Sequence, residues 1–198
     1  MTKSLEKMTN EELAISYSEG NNAAFDLLLD RVKGELFSYI LVVVRNKELA
    51  EDIFQDTFVK IIMRLQEGRY CDNGKFVSWA IRIAHNAILD IFRKQKSQNI
   101  FDPNYGDDMS RFSQSMLDVS EEQTLVNKQV LKDARNIMMQ LPDQQREVVY
   151  MRCFQDISFK EIADITGVSI NTALGRMRYG IINMRKLAKQ HNVCLDVQ

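Results

Sequence analysis

The chain has 198 residues, 45% of them hydrophobic, and its 26 lysines and arginines almost balance its 27 aspartates and glutamates. This length suits one domain or two small ones, and no aliphatic run approaches the roughly 20 residues that a membrane span needs. The N-terminus lacks the apolar segment of a signal peptide, and the cysteines at 71, 153 and 194 match no metal-ligand pattern. The sequence therefore predicts a cytoplasmic protein without a metal or cofactor.

The spacing of apolar residues predicts an all-α protein. They recur every three or four positions along most of the chain, which contains only two prolines and eight glycines. Thr9 and Glu12 match a capping box, so the first helix should begin there and end near Gly20. Three more helices are predicted over residues 23–44, 48–67 and 76–96. The four helices would form an N-terminal domain over residues 9–97.

Residues 98–120 have the composition of a flexible acidic linker. They are rich in Ser and Asp, also contain Asn, Gly and Pro, and lack a sustained helical period. The net charge falls from +4 over 75–98 to −5 over 99–124. A second, C-terminal helical domain is therefore predicted over 121–190.

The C-terminal domain contains the pattern of a helix-turn-helix. A long helix over 121–140 and a helix starting at Pro142 come first. A short apolar stripe then leads to Gly167, whose positive φ would end one helix, and Ser169 can cap the next. The buried face of that last helix is predicted to carry Val168, Ile170, Ala173, Leu174, Met177 and Ile181.

Carboxylates are missing from the last predicted helix. The sequence has no acid between Asp164 and Asp196, and this interval contains Arg176, Arg178, Arg185, Lys186 and Lys189. Such a helix suits the major groove of DNA, because it avoids repulsion from phosphates and supplies cations to them. The alternative is an ordinary helical hairpin with a solvated basic face. The glycine turn, the cap and the missing acids together favour DNA binding.

An acidic face is predicted on the third helix, where Asp52 and Asp56 are four residues apart beside Gln55. Like charges at this spacing weaken an isolated helix slightly. A solvated face is the simple interpretation, and a docking face for a basic partner is the functional one. No third ligand is spaced to complete a metal site.

The fourth predicted helix, over 76–96, interleaves basic and aromatic residues. That pattern suits single-stranded nucleic acid, whose bases stack and whose phosphates pair with cations. Trp79 is expected in the core, and His85 is expected at the surface as a contact residue and not a catalyst. The candidate nucleic-acid contacts here are Lys75, Arg82, His85, Asn86, Arg93 and Lys94.

Three stretches in this order resemble the extracytoplasmic-function sigma factors of bacterial RNA polymerase. The stretches are AEDIFQDTFVKI, FVSWAIRIAHNAILDIFRK and the pair LPDQQREVVYMRCF and SFKEIADITGVSINTALGRMR. The resemblance implies a sigma region 2 domain over 9–97 and a sigma region 4 domain over 121–190. It also implies core RNA polymerase, promoter DNA and an anti-sigma factor as partners, and no active site.

The resemblance also implies roles for single residues. Asp52, Gln55 and Asp56 fall at contacts with core polymerase, and the loop 68–75 falls where the family captures a flipped minus-ten base. Thr172 and Arg176 fall in the helix that meets the minus-thirty-five element. The candidate DNA contacts of the helix-turn-helix as a whole are Ser169, Asn171, Thr172, Gly175, Arg176, Arg178 and Tyr179. Leu174 and Gly175 replace a usual basic residue and a usual serine, so Arg176 is predicted to hold phosphate rather than read a base.

Two other functions remain open from the residues alone. One is a stand-alone helix-turn-helix regulator with an N-terminal sensory or dimerisation domain. The other is a helical hydrolase that uses His85 or His191, although no nucleophile motif accompanies either histidine. Polymerase-dependent run-off transcription distinguishes all three.

Overall fold

The structure is a computed structural model that describes residues 4–70, 74–97 and 125–193. The chain divides into two compact units, Met1–Phe112 and Ser113–Gln198, called here the N-terminal and C-terminal units. The described residues form helices and no strands, which confirms the all-α prediction. The predicted linker over 98–120 and the first residues of the predicted helix over 121–140 lie outside the described ranges.

The N-terminal unit contains four α-helices after a short 3-10 helix that the sequence did not indicate, Leu5–Lys7. The α-helices are α1 (Asn10–Ser18), α2 (Asn22–Val44), α3 (Lys47–Gln66) and α4 (Phe76–Ser97). Each of the four contacts all of the others, so they enclose one core. Arg31 on α2 ties the 3-10 helix down by donating to the backbone oxygens of Glu6 and Met8 at 2.8 and 2.6 Å.

Local capping signals place the ends of these helices as the sequence predicted. Thr9 and Glu12 form the capping box of α1, and the Asn46 side chain accepts from the backbone N–H of Leu49 at 2.9 Å. The start of α4 is held differently, because the Glu11 carboxylate accepts from the backbone N–H of Phe76 at 3.0 Å. Partial burial acts to raise the pKa of Glu11, but this bond and its neighbours hold that pKa below its ordinary value of 4.5.

The described part of the C-terminal unit forms α5 (Leu125–Met139), α6 (Asp143–Cys153), α7 (Phe159–Thr166) and α8 (Ile170–Gln190). Helices α6 and α8 pack closely because α8 has a glycine at their contact. A Cβ atom added to Gly180 would lie 2.7 Å from Cγ2 of Val149. The Asn183 amide also donates to Oε1 of Gln145 at 2.8 Å. The sequence signals did not identify this contact.

One buried cation holds the turn between α5 and α6. Arg146 is only 1% exposed, and its guanidinium donates to the backbone oxygen of Leu141 at 2.9 Å and to the Asp143 carboxylate at 2.8 Å. An arginine this deeply buried needs such partners, because a buried charge without them is costly. Arg146 therefore fixes the turn in which Pro142 precedes α6.

The predicted buried face of α8 is partly wrong. Ala173 is buried and Met177 and Ile181 are half-buried, whereas Ile170 and Leu174 are 46% and 43% exposed. The helices that pack against α8 leave the side with Ile170 and Leu174 exposed to solvent. None of the helices in the described ranges combines the length and hydrophobicity that crossing a bilayer demands.

Candidate nucleic-acid interface

The helix-turn-helix is built as the sequence predicted. Ser158 and Glu161 form a capping box at the start of α7, and Gly167 ends that helix at φ +67°. The Ser169 hydroxyl then accepts from the backbone N–H of Thr172 at 3.0 Å. This cap starts α8 at Ile170 and leaves its first turn at the surface.

Most of the predicted contact residues of α8 are accessible. Ser169, Asn171, Thr172, Arg178 and Tyr179 are exposed, and Gly175 and Arg176 are half-buried. The five cations of α8 are Arg176, Arg178, Arg185, Lys186 and Lys189, and none of them pairs with a carboxylate of the described residues. Elsewhere in the chain, Arg93 and Arg152 do have carboxylate partners. The cations of α8 are thus available to phosphates.

Four of the predicted DNA-binding residues line one groove. Thr172, Gly175, Arg176 and Tyr179 on α8 face the beginning of α6 across a space of about 550 Å³. The α6 side of the groove consists of Pro142, Asp143, Gln144 and Gln145. Arg176 therefore lies beside α6 and is half-buried, unlike the exposed Arg178.

Helix α4 exposes its predicted basic residues but not its histidine. Lys75, Arg82, Asn86, Arg93 and Lys94 are exposed. His85 is only 7% exposed, and its Nδ1 lies 3.1 Å from the Tyr39 hydroxyl of α2. The predicted surface position of His85 is therefore wrong. Ile81 and Ile88, which are four residues before and three after it, carried the signal for burial, because this spacing places all three side chains on one helix face.

An aromatic cluster lies at the start of α4. The ring centroids of Tyr70 and Trp79 are 5.0 Å apart, and Phe76 lies 5.4 Å from Tyr70 and 5.5 Å from Trp79. Trp79, which was expected in the core, is half-buried. In the loop 68–75, predicted to capture a base, residues 71–73 lie outside the described ranges.

The acidic face of α3 is open along its length. Asp52, Gln55 and Asp56 are all exposed, and neither aspartate pairs with a described cation. Val59 and Met63 continue the same face and are 55% and 53% exposed. The sequence prediction missed this apolar extension, although the same three- and four-residue spacing indicates it. No group of His, Cys, Asp and Glu side chains in the described ranges could hold a metal ion.

Comparisons with known proteins match both units. The family description "Sigma-70 region 2" covers residues 25–98, and "Sigma-70, region 4" covers residues 131–173. Together the two matches span more than half of the chain. The chain belongs to the sigma-70 family. Its relatives place it in the extracytoplasmic-function group, so it is an alternative sigma factor that directs transcription initiation. Sigma factors are regulators and not enzymes.

The relatives of this sigma factor match along most of their length. The ECF RNA polymerase sigma factor SigW of Bacillus subtilis is 26% identical over 171 residues, which cover 85% of this chain and 90% of SigW. CarQ of Myxococcus xanthus is 29% identical over 171 residues, with 86% and 92% covered.

Solved structures share the fold. The sigma factor RpoE of Bartonella quintana, solved with the anti-sigma factor NepR, superposes with a TM-score of 0.61 at 21% identity. That match covers 83% of this chain and 96% of RpoE. CnrH, solved with the cytosolic domain of CnrY, has a TM-score of 0.58, also at 21% identity, with 91% and 97% covered.

One departure from the family pattern has a backbone explanation. This sigma factor carries Asp156 where the resemblance leads one to expect glycine. Asp156 adopts φ +49°, a left-handed conformation that glycine enters freely and aspartate tolerates better than most residues. Its carboxylate accepts from Arg152 at 3.0 Å, which anchors the turn before α7. The turn is therefore retained without the glycine.

Proposed function

We propose that the two units divide promoter recognition between them. The N-terminal domain, over 9–97, binds core polymerase and the melted minus-ten element, and the C-terminal domain, over 121–190, binds the minus-thirty-five element as a duplex. The segment 98–120 links the two. The observation that carries this proposal is the set of five cations on α8, the second helix of a helix-turn-helix, none of which pairs with a carboxylate of the described residues.

Core polymerase binding is assigned to the acidic face of α3. Asp52, Gln55 and Asp56 are exposed and lie in a row that Val59 and Met63 extend. Unpaired carboxylates beside apolar side chains suit a partner helix that is basic and partly apolar, since charge gives orientation and apolar area gives affinity. The polymerase is the partner expected for this family.

Minus-ten binding is assigned to α4 and the aromatic cluster at its start. Arg82, Asn86, Arg93 and Lys94 are exposed along the helix, and Tyr70 and Trp79 lie at one end. Aromatic rings flanked by cations suit unpaired bases and their phosphates. His85 takes no direct part in this assignment, because its side chain is buried against Tyr39.

The remaining expectations follow from this function. The protein has no catalytic role of its own, it acts in the cytoplasm where the polymerase works, and an anti-sigma factor regulates it. The solved relatives RpoE and CnrH, which were determined with NepR and CnrY, support the last of these. The stand-alone regulator is disfavoured, because the chain matches region 2 as well as region 4.

The test is run-off transcription with purified core polymerase. The wild-type chain should make core polymerase initiate at its promoters. Asp52→Arg with Asp56→Arg should keep the helix content and weaken co-purification with core polymerase at least tenfold, because two attractive contacts become repulsive. Asp26→Arg with Asp30→Arg is the matched control, since it changes two exposed carboxylates at the same spacing on α2. Undiminished binding by the folded α3 variant would remove core binding from this face.

A further inference from the structure

Two large apolar side chains project into solvent at the beginning of α8. Ile170 and Leu174 are 46% and 43% exposed. They are four residues apart on a helix, so their side chains are neighbours on one face. A single exposed apolar residue requires no explanation. An adjacent pair at the start of the second helix of a helix-turn-helix does require one. The first turns of that helix are the part of the motif that meets base edges.

The surroundings of this pair have the charge that DNA requires. Arg178 follows Leu174 by four residues, is exposed, and forms no ion pair with the described residues. No acidic residue occurs on α8. Helix α8 therefore borders the pair with cations and with no carboxylate of its own, which complements a groove whose walls are phosphates and whose floor contains apolar groups.

The residue beside Leu174 allows close approach. A Cβ atom added to Gly175 would meet nothing within 4 Å, so packing within the protein does not require this glycine. Glycine weakens the interior of a helix. The glycine leaves no side chain at the position next to Leu174, so nothing at 175 projects beyond the backbone of α8.

We propose that Ile170 and Leu174 recognise thymine methyl groups in the major groove of the minus-thirty-five element. The C5-methyl of thymine is the apolar group that the floor of the major groove presents, and apolar side chains read it by burying it. Leucine and isoleucine cannot form hydrogen bonds, so the methyl carries the discrimination. This inference rests on the proposed function and adds a sequence preference to it.

The experiment first lets the holoenzyme choose its sequence. Holoenzyme made from the full chain and core polymerase selects from promoter duplexes randomised across the minus-thirty-five region. Each thymine enriched on either strand is then replaced by deoxyuridine, which removes only the methyl. At one or two positions we expect wild-type binding to fall about fourfold, the factor that corresponds to burying one methylene-sized group.

Variants test whether Ile170 and Leu174 cause the loss of binding that follows removal of the methyl group. In Ile170→Ala with Leu174→Ala, the ratio of affinities for thymine and uracil at the sensitive positions should fall to near one. Ile182→Ala is the matched control, because Ile182 is also 46% exposed on α8 but lies about 18 Å along the helix from Ile170. This control should keep the fourfold ratio.

Four results would overturn the inference. These are selection without any enriched thymine, equal wild-type binding to thymine and uracil, an unchanged ratio in a double variant that binds core polymerase normally, and an unchanged ratio in a double variant that binds core polymerase more weakly. The last result would identify the pair as a protein contact. Failure of the wild-type chain to form holoenzyme, or to select any sequence, would instead refute the proposed function and the inference with it.

Discussion

The two glycines within α8 should respond to alanine in opposite ways. At Gly180 the added Cβ would lie 2.7 Å from Cγ2 of Val149, and Val149 is buried. Because a helical valine has one strongly preferred χ1 rotamer, its methyl cannot turn aside without strain. At Gly175 the added Cβ would meet nothing within 4 Å.

The magnitudes follow from two competing effects. Replacing glycine by alanine inside a helix stabilises it by about 1 kcal/mol. Overpacking a close helix contact costs about 1–3 kcal/mol. Gly175→Ala should therefore raise the free energy of unfolding of the C-terminal unit by up to about 1 kcal/mol. Gly180→Ala should lower that free energy by about 1 kcal/mol, because the overpacking exceeds the gain in helix propensity.

Urea unfolding of the full chain, monitored by hydrogen exchange in peptides from α6 and α8, measures the change in free energy of unfolding for both variants. With slopes of about 1–3 kcal/mol per molar urea, each variant should move the midpoint by about 0.3–1 M, in opposite directions. In a Val149→Ala background, Gly180→Ala should lower the free energy of unfolding much less, because the valine methyl that the new Cβ would meet has been removed. A Gly180→Ala protein as stable as the wild type would refute the close contact.

Gly175→Ala also separates stability from binding. If the glycine serves the approach of α8 to DNA, this more stable variant should bind the minus-thirty-five element less tightly. Holoenzyme binding to duplexes with and without that element measures the effect. An alanine variant that is both more stable and equally tight would remove the functional reason for Gly175.

Three further predictions concern single side chains. Arg176→Ala should weaken holoenzyme binding to matched and scrambled minus-thirty-five sequences alike and lower the salt slope by about one unit, and a loss confined to the matched sequence would show base reading instead. Glu11→Gln should lower the free energy of unfolding of the N-terminal unit by about 1 kcal/mol at neutral pH. Because the folded pKa of Glu11 is lowered, this difference from wild type should shrink as the pH falls below 4.5, which urea unfolding followed by Trp79 fluorescence can detect. Arg146→Leu should destabilise the C-terminal unit by about 2 kcal/mol or more, since it leaves the buried Leu141 carbonyl without its donor, and urea unfolding with hydrogen exchange of α6 checks this.

Much of the architecture is readable from the sequence because its signals are local. Thr9, Asn46 and Ser169 cap helices by bonds to backbone groups three residues away, so neighbouring sequence suffices to predict them. The positive φ of Gly167 is likewise a property of one turn. The missing acids between Asp164 and Asp196 are also visible in the sequence alone, and they indicate the helix that is proposed to bind DNA.

Tertiary packing decided the features that the sequence could not specify. Helix α8 has an apolar stripe wider than the surface that its neighbours cover, and only the positions of those neighbours determine which edge is buried. For this reason Ile170 and Leu174 lie outside, although their spacing predicts burial. The need for glycine at 180 has the same origin, because Val149 approaches it from another helix 31 residues earlier in the chain.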